Sequence, residues 1–164
     1  MRNVCLKLVA STLVLVAATT PAAAQDAKSY PGVACLGSRA TNDNIERQAT
    51  TGRAENAAAA DTAFFCPAVK DGNSIAGARV YVIDQRANAG VACQLRSGRP
   101  NGAALWFASS STAPGPFGPN PVLLAFGALP GLPNGHYWLT CTVPGPNVFG
   151  QRSALVSYHV TENP

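Results

Sequence analysis

Short apolar runs recur along the second half of the chain, separated by clusters of glycine, proline and asparagine. The separating clusters are rich in residues that favour turns. Short strands at regular spacing between such clusters are typical of an all-β sandwich or barrel. The pattern predicts a single antiparallel β-sandwich of immunoglobulin-like or jelly-roll-like type. The predicted strands are 79–84, 91–96, 103–108, 122–126, 136–143 and 154–160.

Alternation within these runs predicts which side chains face the core, because residues two apart in a strand share a face. If 79–84 and 91–96 form a hairpin, a symmetric register places Val82 opposite Cys93, and one face of the hairpin is apolar. The opposite face is largely polar, as expected for a sheet that is half exposed to solvent. We therefore expect this hairpin in the sandwich.

A second hairpin, of 136–143 with 154–160, would bring together the most functional-looking side chains of the chain. Its symmetric register places Trp138 opposite His159, with His136 on the same outward face. We hypothesise a surface patch for a sugar or a protein, in which the tryptophan supplies apolar area and the histidines respond to mildly acidic pH. Alternatively, a loop covers Trp138, because single aromatic residues on strands commonly fill gaps under connections.

The front of the domain and one proline-rich segment have weaker patterns. We expect 25–61 to be partly irregular or extended, leading into a strand at 63–66 that Pro67 ends or confines to a sheet edge. Four prolines and a serine run between residues 109 and 121 predict a long loop without regular strand pairing.

Residues 1–24 have the features of a secretory signal. Arg2 and Lys7 precede an uncharged apolar run at 8–18, and small residues up to Ala24 form a cleavage site. The run is shorter than the roughly 20 residues that a spanning helix needs. We expect an exported domain over 25–164, in the periplasm or outside the cell, with no membrane anchor after cleavage.

Cysteine usage agrees with export. Beyond the signal four cysteines remain, an even number that predicts two disulfides in an oxidising compartment. Three pairings are possible, and we expect Cys93–Cys141, since both fall on predicted core faces, which leaves Cys35–Cys66. The cysteines are too widely spaced for the closely paired ligands of structural zinc, so no metal site is predicted.

Charge and catalytic chemistry exclude several function classes. Without Arg2 and Lys7 the chain has a net charge of about +2, spread without a basic cluster, so nucleic acid is not an expected partner. The imidazoles His136 and His159 fall on strand faces, and no G-x-S-x-G motif accompanies them. No catalytic residue and no cofactor is predicted.

Two acidic residues lie near one predicted strand and are candidates for acid–base or metal chemistry. Asp71 and Asp84 flank one predicted strand, so they should lie near its opposite ends rather than form a catalytic carboxylate pair. The segment 71–74 has oxygen ligands on a turn and lacks the further acids of a calcium loop. An Asx-type turn explains it.

Three segments carry a resemblance: FCPAVKD at 65–71, VACQL at 91–95 and GHYWLTCTVP at 135–144. They resemble uncharacterised small exported β-sandwich proteins of Gram-negative bacteria. The resemblance covers most of the domain and implies an exported β-sandwich. It implies no activity and assigns no functional residue.

The leading hypothesis is a non-catalytic, envelope or extracellular binding or structural module whose ligand is unknown. A glycan and an envelope protein are the candidate partners. One alternative is a small secreted hydrolase. Another is a carbohydrate-binding module that uses exposed aromatic residues, for which Trp106 and Trp138 are the candidates.

Overall fold

The computed structural model of the protein describes residues 26–37, 42–102, 104–112, 118–132 and 134–163. The predicted signal at 1–24 lies outside these residues, as do residues 113–117 of the proline-rich segment. Within the described ranges, no helix has the length and apolar character needed to cross a membrane. The strands are β1 (Asp26–Pro31), β2 (Leu36–Gly37), β3 (Ile45–Gln48), β4 (Arg53–Asn56), β5 (Thr62–Ala68), β6 (Ser74–Ile83), β7 (Ala92–Gly98), β8 (Ala104–Ser111), β9 (Val122–Phe126), β10 (His136–Val143) and β11 (Ala154–Asn163).

These strands form two antiparallel sheets packed face to face. The six-stranded sheet has the order β3-β4-β11-β6-β9, with β1 also paired to β11. The five-stranded sheet has the order β2-β5-β10-β7-β8. The predicted antiparallel β-sandwich is confirmed, and the strands predicted at 122–126 and 136–143 coincide with β9 and β10.

The core lies between the sheets and follows the predicted alternation. Val80, Val82 and Leu95 are fully buried, whereas their strand neighbours Arg79 and Arg96 are exposed or half-buried. Each large apolar side chain buried in this way contributes roughly 1.5–3 kcal/mol to stability. The alternation therefore determines which side chains remain on the two outer faces of the sandwich.

Both predicted disulfides are confirmed. Cys93 and Cys141 lie directly opposite each other on β7 and β10, and their disulfide links the two strands on the core side. Cys35, just before β2, is bonded to Cys66 on β5. All four cysteines are buried. The disulfides therefore brace the five-stranded sheet from inside the sandwich.

The first predicted hairpin is wrong, because β6 belongs to the six-stranded sheet and β7 to the five-stranded sheet. Strands that face each other across a sandwich show the same alternation as strands paired in one sheet, so the pattern alone does not distinguish the two. The crossover between them is held by Asp84, whose carboxylate accepts hydrogen bonds from the backbone N–H groups of Arg86 (3.1 Å) and Val91 (3.3 Å). It also accepts one from the Thr112 hydroxyl.

The second predicted hairpin is wrong for the same reason. β10 lies in the five-stranded sheet and β11 in the six-stranded sheet, and residues 144–153 cross between them. The crossover contains a turn in which the Asn147 N–H donates to the Gln151 carbonyl at 2.9 Å. Trp138 and His159 consequently lie on opposite outer faces of the molecule.

The front segment and the proline-rich segment contain more strand than expected. Four short strands, β1 to β4, lie within 25–61, together with the 3-10 turns Gly32–Ala34 and Asn42–Asn44. The prediction for the proline-rich segment is wrong at its start, since residues 109–111 continue β8 and pair with β7. Hydroxyl side chains on an exposed strand face tolerate this pairing, and the prolines begin only afterwards.

Candidate functional site

The outer face of the five-stranded sheet carries a row of side chains that crosses four strands. Trp138 on β10 lies opposite Pro67 on β5 and Arg96 on β7, and Arg96 lies opposite Phe107 on β8. Two interstrand spacings separate Trp138 from Phe107, a distance of about 10 Å between backbones. Phe107 is 65% exposed and Trp138 is half-buried. We call Trp138, Arg96 and Phe107 the aromatic row.

Contacts within the sheet hold the side chains of this row. The rings of His136 and Trp138 are stacked, with centroids 4.9 Å apart and planes inclined by 23°. The Arg96 Nε donates to Gln94 Oε1 at 3.2 Å. His136 and Trp138 thus lie side by side on this face, whereas His159, which the sequence predicted to share it, lies on the other sheet.

A shallow trough runs beside the aromatic row and is lined mainly by hydroxyl groups. Its volume is about 370 Å³. The polar side chains along it are Gln94, Arg96, Ser109, Ser110, Ser111, Thr140 and Thr142. The Thr140 Oγ1 is buried and has no hydrogen-bond partner among the described residues. Buried polar atoms normally have a hydrogen-bond partner. The Thr140 hydroxyl is therefore available to bind a ligand in this hydroxyl trough.

Apolar side chains border the trough on its other side. Phe65 on β5 lies opposite Thr140 and is 38% exposed. Leu36 on β2 lies opposite Phe65 and is also exposed. The outer face of this sheet thus presents aromatic and aliphatic surface on both sides of a band of hydroxyl groups. Exposed apolar patches rimmed by polar residues are a feature of binding surfaces.

Sequence reasoning found two members of this surface and missed the others. His136 and Trp138 were predicted to face outward, and Phe107 lies in a strand that was predicted at 103–108. Alternation within that strand could have placed Phe107 outward. Its position in line with Trp138 depends on the order of the strands in the sheet, which no local pattern contains.

His159 lies on the outer face of the other sheet, where it contacts a serine. Ser29 Oγ and His159 Nδ1 share a hydrogen bond of 2.6 Å, and the His159 ring meets the edge of Tyr81 at a centroid distance of 5.7 Å. In a Ser-His-Asp triad the serine contacts Nε2 while a carboxylate orients Nδ1. Here the serine is on Nδ1, and no carboxylate of the described residues bonds the ring. The pair does not have the geometry of a Ser-His-Asp triad.

A cluster of three carboxylates lies at one end of the sandwich around a lysine. The ligand atoms of Asp26, Asp71 and Glu162 lie within 4.8 Å of one another, and Glu162 is fully buried. The Lys28 Nζ lies 3.0 Å from Asp26, 3.1 Å from Asp71 and in contact with Glu162. Burial alone would lower the pKa of Lys28, but its bonds to the three carboxylates outweigh burial and raise it. The ammonium therefore offsets one of the three negative charges of the cluster, and its ion pairs join β1 to β11.

The predicted Asx-type turn at Asp71 is wrong, whereas Asp71 and Asp84 do lie at opposite ends of one strand. The Asp71 carboxylate binds Lys28, and the Asn73 N–H, which an Asx-type turn would direct to that carboxylate, donates instead to the Asn163 carbonyl at 3.0 Å. The interpretation was wrong because Asn163 is distant in sequence. Asp84 lies at the other end of β6, away from Asp71, and holds the crossover.

No family model matches this chain, and no curated protein matches it either. Among solved structures, the chain is similar to the carbohydrate-binding module CsCBM6-3 from Clostridium stercorarium, determined in complex with cellobiose. The two share 12% sequence identity with a TM-score of 0.49, over 84% of this chain and 94% of that module.

Proposed function

We propose that this protein is a non-catalytic, exported binding module that holds a glycan on the outer face of its five-stranded sheet. One observation carries the proposal: the aromatic row of Trp138, Arg96 and Phe107 lies beside a hydroxyl trough whose Thr140 has no hydrogen-bond partner among the described residues.

The chemistry of this surface matches that of a sugar chain. The C–H face of a pyranose ring is apolar and packs on the face of an aromatic ring, while its hydroxyls exchange hydrogen bonds with polar side chains. Phe107 and Trp138 offer the rings, and Thr140 and Ser109 offer hydroxyls in the next register position. Because the two rings lie two strands apart, a chain of several sugars lying across the strands would contact both.

The groups on this surface suit the binding of a glycan and not its cleavage. Arg96, the cation of the aromatic row, is engaged by Gln94, and no carboxylate lines the trough in the described part of the chain. Hydrolysis of a glycosidic bond generally requires a pair of carboxylates flanking the scissile bond. The surface therefore suits binding without cleavage, which supports a module rather than the alternative of a small hydrolase.

Export is part of the proposal and is supported by the cysteines. Disulfides form and persist mainly in the periplasm and outside the cell. Both disulfides of this protein are buried in the core, where they contribute to the fold rather than to redox chemistry. The signal at 1–24 remains a prediction that N-terminal sequencing of the exported protein would test.

Affinity gel electrophoresis against cellulose derivatives, xylan, β-1,3-glucan and soluble chitin tests this function. The wild-type protein should be retarded by at least one neutral polysaccharide, and Phe107→Ala and Trp138→Ala should weaken that binding by tenfold or more. Trp106→Ala is the matched control, because Trp106 pairs with the buried Ser97 and so lies on the opposite side of β8 from Phe107.

Three results would contradict the proposal. The first is the absence of retardation by every polysaccharide of the panel, and the second is an effect of Trp106→Ala equal to that of Phe107→Ala. The third is release of reducing ends from the polysaccharide that is bound, which would identify an enzyme. Phe107 is largely exposed, so its truncation should leave the thermal midpoint nearly unchanged and isolate the effect on binding.

A further inference from the structure

A groove of about 530 Å³ lies on the outer face of the six-stranded sheet, opposite the surface described above. Its floor is low because small residues lie there: Ala27 on β1, Gly77 on β6 and Ala125 on β9. Pockets for small ligands generally have volumes of about 300–1,000 Å³. The groove is therefore large enough for one or two rings of a saccharide.

Arg79 lies in the middle of the groove. Across the sheet it lies opposite His159 on one side and Ala125 on the other, and Ser29 lies opposite His159. No hydrogen bond or ion pair of the described residues engages the exposed Arg79 side chain. None of the acidic residues that the structure describes lines the groove either. Arg53, on β4 of the same sheet, by contrast forms an ion pair with the Glu55 carboxylate at 2.7 Å.

The polar groups around Arg79 are held in place by the sheet. The Ser29 hydroxyl fixes the His159 ring through Nδ1, and the edge contact with Tyr81 supports that ring from β6. Nε2 of His159 has no hydrogen-bond partner among the described residues, and the Thr161 hydroxyl lies along the same strand at the groove. The groove thus combines one unpaired cation with an imidazole, a phenol and hydroxyl groups.

We propose that this groove is a second binding site, for a hexuronate residue of an acidic polysaccharide. The planar guanidinium of Arg79 would bind the uronate carboxylate through two parallel hydrogen bonds, a geometry that arginine provides and lysine does not. The sugar ring would lie on the floor of small residues, and its hydroxyls would contact His159 and Thr161. The site is on the other sheet, so it does not depend on the glycan surface of β7, β8 and β10.

Calorimetry with trigalacturonate, trimannuronate and an aldotetraouronic acid from glucuronoxylan tests the proposal. At least one of these acids should bind, and its methyl ester should bind at least tenfold more weakly. Arg79→Gln should cause a similar loss, Arg79→Lys a smaller one, and Ala125→Phe should abolish binding by filling the groove. Arg99→Gln is the matched control, because Arg99 is an exposed arginine outside the groove.

Citrate and the trimethyl ester of trigalacturonate separate the carboxylate from the sugar. Citrate should bind at least tenfold more weakly than the uronate oligosaccharide, because it lacks the ring that lies on the floor. The proposal is overturned by binding of none of the three acids, by equal binding to wild type and Arg79→Gln, or by citrate binding as tightly as the uronate. Thermal midpoints within about two degrees of wild type verify that each variant is folded.

Discussion

Cys93 and Cys141 lie directly opposite each other on neighbouring strands, and their disulfide joins the strands that carry Arg96 and Trp138. The disulfide is on the core side of the sheet, whereas these two side chains are on the solvent side. The proposed glycan surface is therefore built on a covalently linked pair of strands, which restricts the movement of one side chain relative to the other.

Removal of this disulfide should destabilise the domain severely. A loop of this length reduces the entropy of the unfolded chain enough to stabilise the native state by about 4 kcal/mol. The Cys93→Ala/Cys141→Ala variant should lose a free energy of unfolding of that order in urea denaturation. A loss below about 1 kcal/mol would contradict this prediction. The Cys35→Ala/Cys66→Ala variant is the comparison, because it removes a disulfide outside the β7–β10 pair.

Lys28 should be essential for stability because it is the counterion of a fully buried carboxylate. Removing one partner of a buried ion pair typically costs about 3–5 kcal/mol. Since Lys28 retains some exposure, we expect Lys28→Met to lower the free energy of unfolding by about 3 kcal/mol and Lys28→Arg by less. Arg99→Met is the surface control and should change stability by no more than about 0.5 kcal/mol. Equal stability of Lys28→Met and wild type would refute the proposed pairing with Glu162.

Stability should fall in alkaline solution. Burial raises the pKa of Tyr137 and Tyr158 above the ordinary 10.0, and the carboxylates raise that of Lys28 above 10.5 despite its burial. The folded state then holds these protons more tightly than the unfolded state, so the free energy of unfolding declines as pH rises past these ordinary values. The measurement is urea denaturation between pH 8 and pH 11, with phenolate absorbance followed in parallel.

The Tyr158→Phe variant tests whether the Tyr158 phenol contributes to the loss of stability at alkaline pH. The Tyr158 hydroxyl donates to the Pro67 carbonyl at 2.6 Å across the sandwich. The variant should be less stable at neutral pH by about 1 kcal/mol, the typical net value of a hydrogen bond. Its stability should also decline less steeply above pH 10. An unchanged slope would show that the phenol of Tyr158 does not contribute to the alkaline loss.

Asp84 should stabilise the crossover between β6 and β7, which the sequence pattern predicted to be a hairpin turn. Asp84→Ala removes acceptors for the N–H groups of Arg86 and Val91 and for the Thr112 hydroxyl, which should cost about 2 kcal/mol. Hydrogen exchange at Val91 should accelerate in the variant. The same substitution at Asp43, an exposed acid in a 3-10 turn, is the control and should leave both quantities unchanged.

The sequence predicted which face of each strand is buried better than it predicted which strands are paired. Alternation placed Val82, Cys93 and Cys141 in the core and Trp138 outside, because one face of each strand must bury apolar surface wherever the strand lies. The same alternation results from pairing within a sheet and from facing across a sandwich. Both predicted hairpins were wrong for this reason, and with them the position of His159.

The remaining parts of the sites depend on contacts between residues distant in sequence. Lys28 meets Glu162 only because β1 pairs with β11, and Arg79 lies beside His159 only because β6 pairs with β11. Neither pairing leaves a local signal in the sequence. The row from Trp138 to Phe107 likewise required the strand order β10-β7-β8.

The most direct test of the glycan surface uses the two tryptophans of the chain. In ¹⁵N-labelled protein each indole N–H gives its own NMR signal, and Trp106→Phe assigns them. During titration with cellohexaose, xylohexaose and laminarihexaose, the Trp138 signal should shift with at least one sugar while the Trp106 signal stays in place, because only Trp138 lies in the aromatic row. A shift of Trp106 alone, or no shift of Trp138 with any of the three, would contradict binding on the outer face of the five-stranded sheet.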